Sequence, residues 1–397
     1  MPSLTAQALR RAAIFLGLAL LLACALSAPA SARSATPLAA RGGTSAADPL
    51  AGVQFWREGP RRGLAAGQIA RWLGWRHPEY SAPAGGFDDD VTWERFAAMV
   101  PDLELDALEH AHEINLMMKV ASQPETKRFG GWNSAGEVHD QVLRLVQRVE
   151  DYSPGQVPVL AVYRLKHVRC GRQADSRGEQ AAYRHWIADF ASAIGHHEAV
   201  IFLEQDALIT TGCLSHRGLA IRMAELRYAT GRLGALPHAV TYLDAGAADA
   251  VPAGRISRML RQSGVASIQG FFLNSTHFDW TSSEISYGKR LSRSLRGKHF
   301  VVNTAVNGQG PLRPRSRVRH GNEVLCNPPG RGLGIRPTTK TPSRVIDAFM
   351  WIGDVGRSGG RCGASQLGTG AFDASLALGL ASRADERLGP GSPSIPY

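Results

Sequence analysis

The chain has 397 residues and a formal net charge of +11 at pH 7, with 45 lysines and arginines against 34 acidic residues. Arginine outnumbers lysine 39 to 6, but the excess is spread along the chain without the basic blocks and interleaved aromatics of a nucleic-acid surface, so nucleic acid is excluded as a partner. Beyond the N-terminal region no segment is long and apolar enough to span a membrane.

In chain order, Arg10-Arg11, the apolar run from Ala12 to Leu26 and Ala30-Ser31-Ala32 have the charged, hydrophobic and small-residue order of a secretory signal peptide. Cleavage after Ala32 is expected, which makes residues 1–32 a signal and the mature protein secreted or extracytoplasmic. The apolar core of about fifteen residues is shorter than the roughly twenty that cross a bilayer. Leu21-Leu22-Ala23-Cys24 offers a competing reading as a lipoprotein box with lipid on Cys24, and the Ala-x-Ala site fits better. Residues 33–48 read as a small, polar leader and residues 385–397 as a Pro/Gly/Ser tail. Between them, 49–384 is of a size that α/β barrels reach as one domain.

Within that domain, short apolar runs at Val53–Trp56, Leu116–Ala121, Val157–Leu165, Ala199–Leu203, Ala239–Leu243, Ile268–Leu273, His299–Val302 and Ala348–Ile352 are expected to be buried parallel strands. Segments such as Ala181–Ile194 and Arg217–Leu233 have helical periodicity and suit crossovers. Alternation of this kind predicts an α/β fold with a parallel sheet, open or closed, and chemistry at the carboxyl ends of the strands. Past the signal, Cys170, Cys213, Cys326 and Cys362 form an even set in an oxidising compartment, which predicts two disulfides. No pair is spaced Cys-x-x-Cys, which argues against zinc.

Polar residues gather at the strand ends: Tyr163 to Cys170, Leu203-Glu204-Gln205-Asp206, Tyr242 to Gly246, Asn303 to Asn307, Asn327 to Gly334 and Trp351 to Gly360. A carboxylate just past an apolar strand, such as Asp206, suits a general acid, because a partly dry wall raises its pKa toward the working pH. An Asp there is equally suited to capping a helix or joining a salt bridge.

Several motifs then occur in a fixed order: Ala121-Ser122-Gln123-Pro124, Cys170, Leu203-Glu204-Gln205-Asp206-Ala207-Leu208, Tyr242-Leu243-Asp244-Ala245-Gly246, the run from Cys326 to Gly334, Pro337-Thr338-Thr339 and Asp347 to Ile352. In these, residues 49–384 resemble family 6 glycoside hydrolases, inverting β-1,4-glucanases that include endoglucanases and cellobiohydrolases. The resemblance implies a single-domain, distorted (β/α) barrel of about seven parallel strands, a β-glucan or related polysaccharide as partner, no cofactor or metal, and a monomer. It implies the pairings Cys170–Cys213 and Cys326–Cys362. It makes Asp206 the general acid, sets Tyr163 beside the scissile sugar and Asp244 beneath it, and places Asn307 and Asn327 among the substrate-binding residues.

The chain also departs from that pattern. Where the family has an Asp before Cys170, there is Arg169, and a cation beside Asp206 is expected to lower its pKa. The lysine, glutamate and base Asp of the last strand-end loop align with Gly353, Arg357 and Gly359, which leaves Asp354 as the nearest carboxylate able to act as base. Sugar-binding positions hold Arg128, Ala247, Ala250, Asn303, Val306 and Leu325, so the aromatic platforms are reduced; Trp56, Trp132 and Trp280 are the replacements available. Three functions follow: a glucanase with altered or impaired machinery, a non-catalytic glycan-binding or cell-envelope protein on the same barrel, and an anionic-glycan site built on Arg128, Arg169 and Arg357.

Other matches carry less. Gly356-x-Ser358-x-Gly360 fits a hydrolase elbow, but the last histidine is His320, so Ser358 has no downstream partner. The Gly330-x-Gly332-x-Gly334 run follows Pro-Pro in a late loop and not the first strand of a βαβ unit. His110, His112, His196 and His197 read as surface histidines, and Asp88-Asp89-Asp90 as a solvated loop or helix start.

Overall fold

The computed structural model describes residues 48–58, 63–72, 110–165, 175–311, 326–353 and 355–384. The signal peptide, Cys24, most of the leader, the tail, Arg169, Cys170 and Asp354 lie outside the described residues. Strands are β1 (Gln54–Phe55), β2 (Lys127–Gly130), β3 (Gln156–Val157), β4 (Val159–Tyr163), β5 (Ala199–Leu203), β6 (Ala239–Asp244), β7 (Gly270–Leu273), β8 (His299–Asn303) and β9 (Ile346–Met350). Helices are α1 (Leu64–Trp72), α2 (Ala111–Ala121), α3 (Ala135–Tyr152), α4 (Arg177–Ile194), α5 (His216–Gly234), α6 (Ala253–Gln262), α7 (Thr281–Ser294) and α8 (Ala374–Ser382).

Seven strands pair in the order β2-β4-β5-β6-β7-β8-β9, every neighbour parallel, and β1 pairs separately with β3. Because the spatial order follows the chain order, each crossover helix from α3 to α7 returns the chain to the next position of a curled sheet, the barrel-type winding that the sequence implied. Side chains alternate along the strands. Ala161, Val200, Phe202, Tyr242, Phe272, Val301 and Met350 pack on the inner face. Leu160, Ile201, Leu203, Leu243, Phe271 and Phe300 face the helices, against Trp186, Phe190, Leu226 and Leu291. With both faces buried, the strands read as continuous apolar runs instead of alternating ones.

Two expectations fail here. Leu116–Ala121 is not a strand but the second half of α2, whose Ile114, Met117 and Val120 are buried at three-residue spacing, a helical stripe. The Gln123-Pro124 motif therefore follows a helix. The edge strand β2 comes after it, with the sequence KRFG, and only Phe129 and Gly130 are buried. Lys127 extends to Glu58 and, at 2.9 Å, to Glu125, which is how an edge strand carries a cation that an interior strand would not. The expected run from Val157 to Leu165 is split at Pro158, which cannot donate to the ladder.

At one point the sheet depends on a missing side chain. A Cβ on Gly270 would lie 1.8 Å from the carbonyl oxygen of His299 on β8, so β7 and β8 approach more closely than any other residue permits.

Candidate active site

Strand β5 is five buried apolar residues, and the chain turns sharply where they end. Glu204 and Asp206 both adopt left-handed backbone, with φ of 55° and 64°, a conformation uncommon for residues with a side chain. Three anchors hold it. The fully buried Glu204 carboxylate accepts from the backbone N–H of Arg164 at 3.1 Å and Leu165 at 3.0 Å. The Asp206 N–H donates to Asp244 Oδ2, and its carbonyl accepts from the Thr210 hydroxyl at 2.9 Å. Asp244, the last residue of β6, also accepts from Gly246 N–H at 2.7 Å and Ser275 Oγ at 3.0 Å. Its carboxylate is thus spent on fixing the loop that presents Asp206.

The Asp206 side chain accepts a 2.7 Å hydrogen bond from Thr276 Oγ1, on the loop after β7. Burial pushes its pKa up; the Thr276 hydrogen bond, His277 and Arg128 pull it down by less, and the net shift is upward. Among the described residues desolvation outweighs the neighbouring cations, and Arg169, expected to lower the pKa, lies outside them. Asp244 is pushed up to about 7 by burial, with the charge of Asp206 adding to the effect. Burial together with the Asp206 charge raises the hydroxyl of Tyr163, at the end of β4, to about 12, so it remains a donor. The Tyr163 ring lies 6.4 Å from that of Trp132, which is 62% exposed at the end of β2.

The substituted positions also take shape. Arg128 Nη2 lies 3.6 Å from where a Cβ on Gly353 would sit, so its guanidinium occupies the start of the space left by the missing side chain at 353. Gly359 donates its N–H to Asn327 Oδ1 at 2.8 Å, and a Cβ there would meet Asn327 Oδ1 and Cys326 Sγ at 3.4 Å. Cys326 is bonded to Cys362, Cα to Cα 5.9 Å, as the resemblance implied. Cys213 is disulfide-bonded too, and its expected partner Cys170 lies outside the described residues.

Two residues expected to contact substrate also hold loops together. Asn307, 2% exposed, donates to the Asp279 carbonyl at 2.9 Å and Thr281 Oγ1 at 3.0 Å. Asn327 donates to the carbonyls of Gly360 at 2.8 Å and Cys362 at 3.1 Å, holding the disulfide loop. Sequence reasoning missed Glu204, Ser275, Thr276 and His277. The signal was available: Asn274-Ser275-Thr276-His277 directly follows an apolar strand, as Asp206 does.

Residues 94–378 match the family described as glycosyl hydrolases family 6. The chain belongs to glycosyl hydrolase family 6. Within it, the chain is 31% identical over 280 residues to Endoglucanase A of Cellulomonas fimi, covering 70% of this chain and 57% of that protein. It is 34% identical over 248 residues to Endoglucanase A of Thermobispora bispora, covering 61% and 52%. The chain thus spans little more than half the length of these curated relatives. Among solved structures, the endoglucanase Cel6 from Mycobacterium tuberculosis, in complex with methyl-cellobiosyl-4-deoxy-4-thio-β-D-cellobioside, superposes with a TM-score of 0.66 at 30% identity, covering 85% of this chain and 99% of that one. The family 6 assignment accounts for the curled seven-stranded parallel sheet, at whose carboxyl ends Asp206, Tyr163 and Asp244 lie.

Proposed function

We propose that this family 6 protein is a secreted β-1,4-glucanase in which Asp206 protonates the leaving glycosidic oxygen and water attacks the opposite face of the sugar, with inversion. The observation that supports this most is the setting of Asp206: a carboxyl held at the end of β5 by Asp244 and kept protonated to higher pH by burial. Family relatives named as endoglucanases, and the cello-oligosaccharide analogue bound by one neighbour, favour a β-glucan substrate. Tyr163 and the exposed Trp132 offer aromatic faces on the same side as Asp206 for pyranose rings.

Catalysis on this reading is impaired, because Gly359 stands where the resemblance calls for a base. Water is then activated without a fixed carboxylate, except for any help from Asp354. A small added carboxylate such as formate should therefore accelerate the reaction, by doing in solution what a side chain at 359 would do. The test is release of reducing ends from soluble β-glucans by the protein and by Asp206→Asn, with and without formate. Activity in the protein, stimulated by formate and lost in the variant, is expected. Equal rates in the two proteins would remove Asp206 from the mechanism. Sugar binding without turnover under any condition would favour the non-catalytic reading, for which the glycines at 353 and 359 are the specific observation.

A further inference from the structure

Three acidic side chains that the hydrolytic mechanism does not use converge beside the site. Asp249 follows β6, Asp279 follows β7, and Glu284 lies in the first turn of α7; one carboxylate oxygen from each falls within 4.8 Å of the others. Acidic clusters are common without any ligand, so the cluster alone decides nothing. Glu284 does. It is fully buried, its Oε1 accepts from Ala248 N–H at 2.9 Å, and its Oε2 is cut off from solvent with no hydrogen-bond partner. An unmatched buried polar group costs about 1 to 3 kcal/mol. His277 borders the cluster, with its Nδ1 2.8 Å from Asp249 Oδ1.

We propose that Asp249, Asp279 and Glu284 form a binding site for one calcium-sized divalent cation that ties the loop after β6 to the loop after β7. A bound dication would offset most of the three negative charges and give Glu284 Oε2 the partner it lacks. The preference for calcium follows from the donor set: three carboxylates on two loops offer hard oxygen ligands in an irregular arrangement, which calcium accepts at about 2.3 to 2.6 Å, whereas magnesium at about 2.0 to 2.1 Å demands near-ideal octahedral geometry. Asp279 Oδ1 already accepts from Trp280 N–H at 2.8 Å, which fixes the orientation of that carboxylate in advance. Backbone carbonyls and water complete a shell of six to eight oxygens. The loop so fixed carries Thr276, the donor to Asp206, so the cation would hold the acid's positioning group without touching substrate. This departs from the expectation of a metal-free protein, and it does not depend on the glucanase reading.

The test uses the full chain, stripped with a chelator, in calorimetric titrations with calcium, magnesium and manganese chlorides and in thermal melts. One calcium per chain is expected, with Tm rising by about 4 °C at a hundredfold excess over Kd. Asp249→Asn should abolish both responses while still folding, as shown by a cooperative melt of the stripped variant. Glu284→Gln gives the same readout if it folds, and Asp249→Asn carries the test if it does not. Three outcomes would overturn the site: no heat and a Tm change under about 1 °C at millimolar calcium, equal binding by Asp249→Asn, or tighter binding of magnesium than of calcium.

Discussion

Replacing Thr276 with valine isolates the hydrogen bond that tunes Asp206. The valine is nearly isosteric, so the change deletes the 2.7 Å bond from Oγ1 to Asp206 Oδ1 and little else. That bond favours the ionised carboxylate and pulls the pKa down against the larger upward effect of burial. Hydrogen bonds to charged groups are worth about 1.5 to 3 kcal/mol, and 1.36 kcal/mol corresponds to one pH unit. The Asp206 pKa should therefore rise by about one to two pH units in the variant. A general acid works only when protonated, so the alkaline limb of kcat/KM should move up by the same amount, while the acidic limb stays. The assay is the pH profile of reducing-end release from a soluble β-1,4-glucan, paired with a carbon-13 titration of the Asp206 carboxyl, assigned by comparison with Asp206→Asn. An unmoved or lowered alkaline limb would refute the argument that Thr276 acts on the acid.

Asp244→Asn should destabilise by about 1 to 3 kcal/mol in urea unfolding, because the amide turns a donor toward one of the three groups that now donate to the carboxylate; no change in the urea midpoint would contradict its anchoring role. Gly270→Ala should prevent folding or cost more than about 4 kcal/mol, read as loss of soluble protein or of the melting transition, since the added carbon would meet the His299 backbone at 1.8 Å. Glu204 is pushed up from 4.5 to about 7 by burial. The folded state therefore binds its proton more tightly than the unfolded chain, and the contribution to stability is fully present below about pH 4.5 and lost as pH rises through about 7. Tm should fall between pH 5 and pH 8, and Glu204→Gln should flatten that fall.

Much of the fold was legible because β5, β6 and β8 are buried on both faces and cannot carry a polar residue without showing it. Strand β2 was hidden for the opposite reason. As an edge strand it tolerates Lys127 and Arg128, so no apolar run marks it, and the preceding stretch from Leu116 drew the strand assignment although its buried residues repeat every third position. Asp206 and Asp244 could be placed because one lies just past a strand and the other ends one, each within a recognisable run. Thr276 and His277 reach Asp206 from about 70 residues away, and only the pairing of β5 with β6 and of β6 with β7 brings them there. The upward effect of burial on Asp206 could not be weighed from sequence, because a cation in the chain is visible as a letter, whereas burial is a property of the assembled walls. That Asn307 and Asn327 tie neighbouring loops together through backbone carbonyls 28 and 33 residues away could not be read from the chain.

The proposal that Asp206 is the proton donor of an inverting glucanase is tested most directly by the anomer first released. Proton NMR of a soluble β-1,4-glucan during early turnover should show the α-anomer accumulating ahead of mutarotation with the parent protein, and no product with Asp206→Asn. Release of the β-anomer first, or an undiminished signal from Asp206→Asn, would contradict it.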